Sequence, residues 1–351
     1  MARSSRRAQR QVTRSFPRDV FVLGAGFSRK VSTSMPLTRD LFSLCEIQMK
    51  KGKAKVLQDA EVMDGYSRLG RNFELWLTWL ASDQPWMTEI IRLRNRAAFS
   101  EIAEALGNVI LESQNVAVGK KFMPPWLADL IRAWSNRSTT VITLNYDAIL
   151  EKAYSIASSY PASLLYSFRP QPMLGATPTG RGPNQRFQLY KLHGSITWYI
   201  YPFGDSGTSV YGPIYDPELK RDWGETDGPF EVSERAGARR PLIVPPLLTK
   251  DSYFVRPELR DQWLRAEAAL RQAERLFILG YSFPDADQSM RFLLDRTHPR
   301  CEVTIIDIDP DVGKRGRRLL KPRPILTRTS GTAAIPDFVN TYVLRRNGQA
   351  F

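Results

Sequence analysis

Apolar residues fall along this chain in two kinds of run, short continuous ones and longer ones with helical spacing. Val20, Phe21, Val22 and Leu23 are consecutive, which predicts a strand buried on both faces, the usual state in a parallel sheet. The β-branched run Thr139 to Thr143 predicts a second, and Arg186 to Leu192, Pro241 to Val244, Arg275 to Leu279 and Cys301 to Ile306 read as further strands. Between them, helical spacing marks segments near Leu37–Met49, Pro125–Ser135, Pro257–Glu274 and Asp287–Arg296. Strands that alternate with helices imply an α/β fold, a doubly wound parallel sheet.

One long interval breaks the alternation. From Lys50 to Asn115 there are few glycines or prolines, and Phe73, Leu75, Trp76, Trp79 and Leu80, then Ile90, Ile91 and Leu93, keep a helical period. Residues 50–124 are expected to form an α-helical insertion whose tryptophans are core and not a stacking platform. Pro161–Asn184 and Gly204–Arg240 read as loops, and the second is too long for a simple connection. No internal repeat is visible.

Composition narrows the classes. With 351 residues, 42% hydrophobic and 25% charged, the chain can bury a large core. No apolar run approaches the ~20 residues that span a bilayer. The arginine-rich start has no apolar stretch of a secretory signal, and residues 1–18 read as a disordered basic arm. The net charge of +14, locally dense at Arg3–Arg18 and Lys314–Arg323, favours polyanions, whether nucleic acid or an anionic dinucleotide. Scattered arginine as a general bias explains it equally. Two cysteines, Cys45 and Cys301, cannot make a disulfide framework or a four-cysteine zinc site, so no metal and a reducing cytoplasm are expected.

The candidate chemistry sits where strands end. Gly24-Ala25-Gly26-Phe27-Ser28 follows the first strand, and a helix after it would present free amides to a phosphate. The G-x-G-x-x-G fingerprint is incomplete, because Arg29 stands at the third glycine. Asn145 ends the second strand and His193 the third, the edge at which open α/β sheets bind ligands. An asparagine amide offers donor and acceptor together, although Asn145 is also placed to cap a helix. A histidine can serve as a general base; the only other one, His298, sits in a loop. Asp307 and Asp309 are ligand-binding or merely solvated acids, Tyr281–Asp287 is a ligand contact or a turn and N-cap, and Lys250 is a surface charge or a partner for ligand oxygen.

Taken in order, Gly24-Ala-Gly-Phe-Ser, Thr143-Leu-Asn-Tyr-Asp, Leu192-His-Gly-Ser, Gly280-Tyr-Ser and Ile305-Ile-Asp-Ile-Asp resemble the sirtuin (silent information regulator) superfamily, more closely its bacterial NAD-cleaving branch. The resemblance implies a Rossmann-like doubly wound NAD-binding domain over 19–49 and 125–345, interrupted by the helical insertion. It puts Gly24, Ala25, Gly26 and Ser28 at the dinucleotide phosphates, with Gly280 and Ser282 nearby, and brings Arg39 of Met35-Pro-Leu-Thr-Arg close to the ligand. Asn145 would lie beside the nicotinamide ribose, Asp147 would recognise the carboxamide, His193 would be the general base, and Asp307 or Asp309 would hold the adenosine ribose. Thr38 stands where relatives have the phenylalanine over nicotinamide, Leu144 where deacylases have glutamine, and the two Cys-x-x-Cys pairs of the zinc ribbon are missing. The implied function is NAD+ glycohydrolysis in anti-phage defence, ahead of protein deacylation or ADP-ribosyl transfer and of a nucleotide-sensing or DNA-associated module. Implied partners are NAD+ as substrate, further copies of the chain, and a separate regulator such as a hexameric ATPase or an Argonaute-like protein.

Overall fold

The first apolar run lies inside a sheet with a helical layer on each face. The computed structural model describes residues 18–119, 123–168, 171–172, 186–200, 211–212, 240–285, 287–329 and 331–344. In chain order its main elements are β1 (Asp19–Leu23), α1 (Ala25–Val31), α2 (Leu41–Lys51), α3 (Ala60–Arg68), α4 (Phe73–Ala81), α5 (Glu89–Val118), α6 (Pro125–Arg137), β2 (Thr140–Thr143), α7 (Ile149–Ser158), β3 (Gln171–Pro172), β4 (Gln188–Lys191), β5 (Gly194–Ile200), β6 (Tyr211–Gly212), β7 (Arg240–Ile243), α8 (Pro257–Gln272), β8 (Arg275–Leu279), α9 (Gln288–Asp295), β9 (Glu302–Ile306), α10 (Pro310–Leu320), β10 (Ile325–Arg328) and α11 (Ala334–Leu344). The basic arm before Arg18 and most of the Gly204–Arg240 loop fall outside the described residues.

Six strands form one parallel sheet in the order β10-β9-β8-β1-β2-β4. This is the α/β, Rossmann-like doubly wound architecture. The chain steps outward from β1 through β2 to β4, returns to place β8 on the other side of β1, and steps outward again to β10. Side chains alternate across the sheet. Phe21, Leu23, Val141, Phe277 and Leu279 face a core shared with α1, α6, α7 and α11. Val20, Val22, Ile142, Ile278 and Ile305 face a second core shared with α8, α9 and α10. Both sets must be apolar, which is why β1 reads as a continuous apolar run.

The helical insertion has a core of its own. Val62, Tyr66, Trp76, Leu80, Ile102 and Leu106 pack together with Leu41, Cys45 and Met49 of α2, and with Ile196, Ile243 and Leu247. Trp76 is fully buried and its indole N–H donates to the Val62 carbonyl at 3.2 Å. Trp86, expected in the core, instead lies on the surface ahead of α5, 79% exposed. The helix expected from Leu37 starts later, because Asp40 accepts from the Leu37 amide at 3.3 Å and sets a separate short turn over Thr38–Asp40. Among the described residues no helix is long and apolar enough to cross a membrane.

A second sheet, β3-β6-β5-β7, was not anticipated, and Pro241–Val244 belongs to it instead of the main sheet. The cause lies at Gly194. Its φ of +75° turns the chain out of the main sheet straight after His193, and a Cβ there would sit 2.0 Å from the Leu242 carbonyl oxygen. Only glycine fits that turn. The cation density at Lys314–Arg323 is also partly structural: Lys314 pairs with Asp311, Arg315 with Asp309, and Arg323 is buried and donates to the carbonyls of Thr297 and Asp295.

At the opposite end of the sheet from the glycines, the buried Asp19 carboxylate accepts from Arg275 Nε and Nη2, both at 2.7 Å, and from the Tyr342 hydroxyl at 2.7 Å. One carboxylate thus joins β1, β8 and α11. Asp19→Ala is expected to destabilise the protein by about 3 kcal/mol, the usual scale for breaking a buried ion pair. Asp19→Asn, which keeps an acceptor, should cost less. Urea midpoints at constant slope check both.

Candidate functional site

Because β1 and β8 are neighbours from which the chain leaves in opposite directions, their ends open a crevice, the switch point of a doubly wound sheet. The turns that bound it touch. The Gly24 amide donates to the Leu279 carbonyl at 3.1 Å, Gly26 to the Gly280 carbonyl at 2.9 Å, and Gly280 to the Ile306 carbonyl at 3.0 Å. A Cβ on Gly24 would lie 2.5 Å from the Gly280 oxygen, and one on Gly280, whose φ is +61°, 2.4 Å from the Phe27 nitrogen. Gly280, from the other half of the sheet, is the residue against which Gly24 and Gly26 pack. These glycines therefore serve packing between the two turns, and the Gly24, Gly26 and Phe27 amides already donate within the protein. Arg29, at the third-glycine position, ties the following loop by donating to the Met35 carbonyl at 2.8 Å.

A cavity of about 380 Å³ opens over this contact, within the usual range for small-molecule sites. Every candidate residue lines it: Gly24, Ala25, Gly26, Ser28, Arg39, Asn145, Asp147, His193, Gly280, Ser282, Asp307 and Asp309. Arg29 and Lys30 join them as further cations, Leu41 comes from α2, and Glu74 and Ile110 bring in the helical insertion.

Asn145 is held by β2 and α1 together. Its amide nitrogen donates to the Gly24 carbonyl and to Ser28 Oγ, both at 2.9 Å, while Ser28 donates to Asp147 Oδ2 at 2.7 Å. The Ser28 hydroxyl both accepts and donates here, so the direction of the chain fixes which way the Asn145 amide points. It is Asp147, not Asn145, that serves the helix behind it, accepting from the Ile149 amide at 3.2 Å. Asp147 is buried; burial pushes its carboxyl above the ordinary value, against the opposing pull of Lys191 and Ser28.

His193 stands at the turn between β4 and β5, pinned by the Val244 amide, which donates to its carbonyl at 2.9 Å. The ring lies between Tyr146 and Trp263, with centroids 6.2 and 6.4 Å away. Both aromatics are anchored, Tyr146 by its hydroxyl to the Val244 carbonyl and Trp263 by its indole N–H to the Leu192 carbonyl. Nε2 is buried without a hydrogen-bond partner, 3.9 Å from Asp287 Oδ1. Burial lowers the His193 pKa to about 4; Asp287 opposes the shift and Lys250 adds to it. The imidazole is neutral at pH 7.

The acids of the β9 end are already engaged. Asp307 accepts from the Asp309 amide and Asp309 from the Asp311 amide, each at 2.9 Å, so Asp309 caps α10. Ser282 is exposed, and its carbonyl accepts from Arg315 Nε at 2.9 Å. Arg39 stands at the rim with its side chain 81% exposed. Lys250 is not a surface charge: it is buried at the cavity wall and donates to Asp287 Oδ1 at 2.8 Å. Glu74 is a lining residue that sequence reasoning missed, and the pairing of Lys250 with Asp287 was not foreseen. Asp287 closes the Tyr281–Asp287 stretch ahead of α9, which the sequence read as either a ligand contact or a turn and N-cap. Among the described residues, no group of histidine, cysteine and acidic side chains is arranged to hold a metal ion.

Comparison with known proteins adds one firm result. No curated relative matches the chain. Among solved structures it is similar to a Sir2 homologue in complex with NAD (15% identical, covering 93% of this chain and 88% of that one, TM-score 0.41). It is also similar to Sir2 with a p53 peptide and NAD+ (13%, 92% and 91%, TM-score 0.38). A SIR2-like domain model matches residues 139–214, the stretch that contains Asn145, Asp147 and His193. That stretch of the chain, and with it the ends of β2 and β4, is similar to a SIR2-like domain.

Proposed function

We propose that the protein is an NAD+ glycohydrolase, cleaving NAD+ with water to nicotinamide, ADP-ribose and a proton. The observation that carries this reading is His193 Nε2, a buried and unpartnered acceptor on a cavity wall that Asn145 also lines. Nicotinamide leaves NAD+ as a neutral molecule, so the protein need not protonate the leaving group. What it must supply is orientation, a setting for the oxocarbenium-like ribose, and a base for the attacking water. Asn145 supports the first: its nitrogen is committed to Gly24 and Ser28, and its oxygen is the part left for a ribose hydroxyl or water. A neutral imidazole suits the last, taking up the proton that water loses as the C–O bond forms and the C–N bond breaks.

The charge along the cavity suits a dinucleotide. Arg29, Lys30 and Arg39 line it as partners for a diphosphate, and Asp307 and Asp309 offer carboxylates to the adenosine ribose. A role as an effector of bacterial anti-phage defence by NAD+ depletion, switched by assembly or by a separate partner, follows from the resemblance of the five motifs to that branch.

Two outcomes test this. Asn145→Ala and His193→Ala should each reduce nicotinamide release from NAD+ by about 10²–10⁴-fold, the range for a lost general base or orienting group, with unchanged circular dichroism. Full activity in both variants removes the assignment. The pH profile is the second. The base form of His193 is complete well above pH 4 and is lost as pH falls through it, so kcat/KM should hold across pH 5–7 and fall with an acid limb at about 4 instead of near the ordinary 6.5.

A further inference from the structure

The Lys250–Asp287 pair is a buried charge cluster that the proposed reaction leaves unused. Asp287 sits ahead of α9 and faces inward. Its Oδ1 accepts from Lys250 at 2.8 Å, its Oδ2 from the Tyr281 hydroxyl at 3.2 Å, and Oδ1 is also the closest acidic oxygen to His193 Nε2, at 3.9 Å. Both charged side chains are more than nine-tenths buried. A carboxylate at that distance from a buried imidazole ordinarily draws a proton onto the ring and makes an imidazolium–carboxylate pair. Here an ammonium already occupies the same oxygen.

We propose that Lys250 and Asp287 are positioning residues for His193, Lys250 taking up the charge of the carboxylate nearest the ring so that Nε2 stays open to a proton from substrate. The other groups around the imidazole do not supply that charge. Tyr146 and Trp263 present ring faces with their polar atoms bound elsewhere, and the ring's remaining hydrogen bond runs to the backbone of Leu144. Glu74 of α4, the other acid that acts on this cluster among the described residues, is drawn to Lys250 and held up by burial. When His193 takes a proton during turnover, Asp287 lies in place to meet the imidazolium, and Lys250 and Tyr281 keep it from swinging away. The arrangement differs from a His–Asp dyad in having its carboxylate neutralised from the far side. It rests on the reading of His193 as a base, but its test does not need turnover.

The chain has only two histidines, His193 and His298, so imidazole resonances are simple to assign. In the full-length protein without substrate, Lys250→Met should leave Asp287 with His193 as its only cationic partner. The His193 titration is then expected to move up by at least one pH unit from about 4, with His298 unmoved. The double variant Lys250→Met/Asp287→Asn, which removes both charges, should bring it back down. Where NAD+ is cleaved, nicotinamide release at pH 6 should fall about 10-fold in Lys250→Met and recover at least half of that loss in the double variant. A structural role alone would add the two losses. If Lys250→Met does not fold, Lys250→Gln, which keeps a donor for Asp287 without the charge, gives the same measurement. A His193 titration unchanged in the single variant, or equally raised in the double, overturns the proposal. The expected rise of the His193 titration in the single variant and its return in the double, with no NAD+ cleavage in the parent protein, would instead remove the glycohydrolase reading and leave the electrostatic one standing.

Discussion

The structure depends on the close approach of two turns, Gly24–Gly26 after β1 and Gly280 after β8. Parallel strands hold their neighbours at a fixed spacing, so turns that leave adjacent strand ends must pass each other with no side chain between them. The Gly26–Gly280 hydrogen bond and the 2.4–2.8 Å that separate hypothetical Cβ positions from opposing backbone show how little room remains. This constraint does two jobs at once. It joins the two halves of the sheet at the switch point, and it sets the floor of the cavity that Asn145, Ser28 and His193 line.

The cavity walls come from distant parts of the chain, and buried polar bonds hold them in register. Lys191, two residues before His193, is fully buried with Glu151 of α7 at 2.8 Å, and its ammonium also donates to the Asp147 carbonyl. One cation thus ties the strand that carries His193 to the loop that carries Asn145. Such a pair costs desolvation that an apolar pair would not, so it is weak evidence for stability. What it adds is geometry: a backbone carbonyl, an adjacent helix and a strand end are fixed relative to one another.

Much of this was legible in the sequence, for reasons that differ by element. The strands of the main sheet were readable because burial on both faces demands continuous apolar runs, as in Val20–Leu23 and Leu276–Leu279. Asn145 and His193 could be placed at strand ends because each follows such a run, and the order of the motifs set them apart from a helix cap or a structural histidine. The second sheet was not readable, since its one decisive feature is the positive φ of Gly194, which a sequence does not print. The pairing of Asp287 with Lys250 was hidden for a related reason: each looks like ordinary loop chemistry until the fold brings residues 37 positions apart into one buried pair. Trp86 erred in the other direction, assigned to the core with the other tryptophans of the insertion because large aromatic side chains are usually buried.

The helical insertion is more than a decoration on the sheet. Its Glu74 and Ile110 reach the cavity, while the same body packs on β5 and β7 against Ile196 and Ile243. Those strands follow His193 directly and lead to Lys250. Any shift of α2, α4 and α5 as a unit therefore acts on the cavity from two sides, through its own lining residues and through the strands that set the position of the histidine and its lysine. Rigid bodies packed in this way transmit displacement instead of absorbing it.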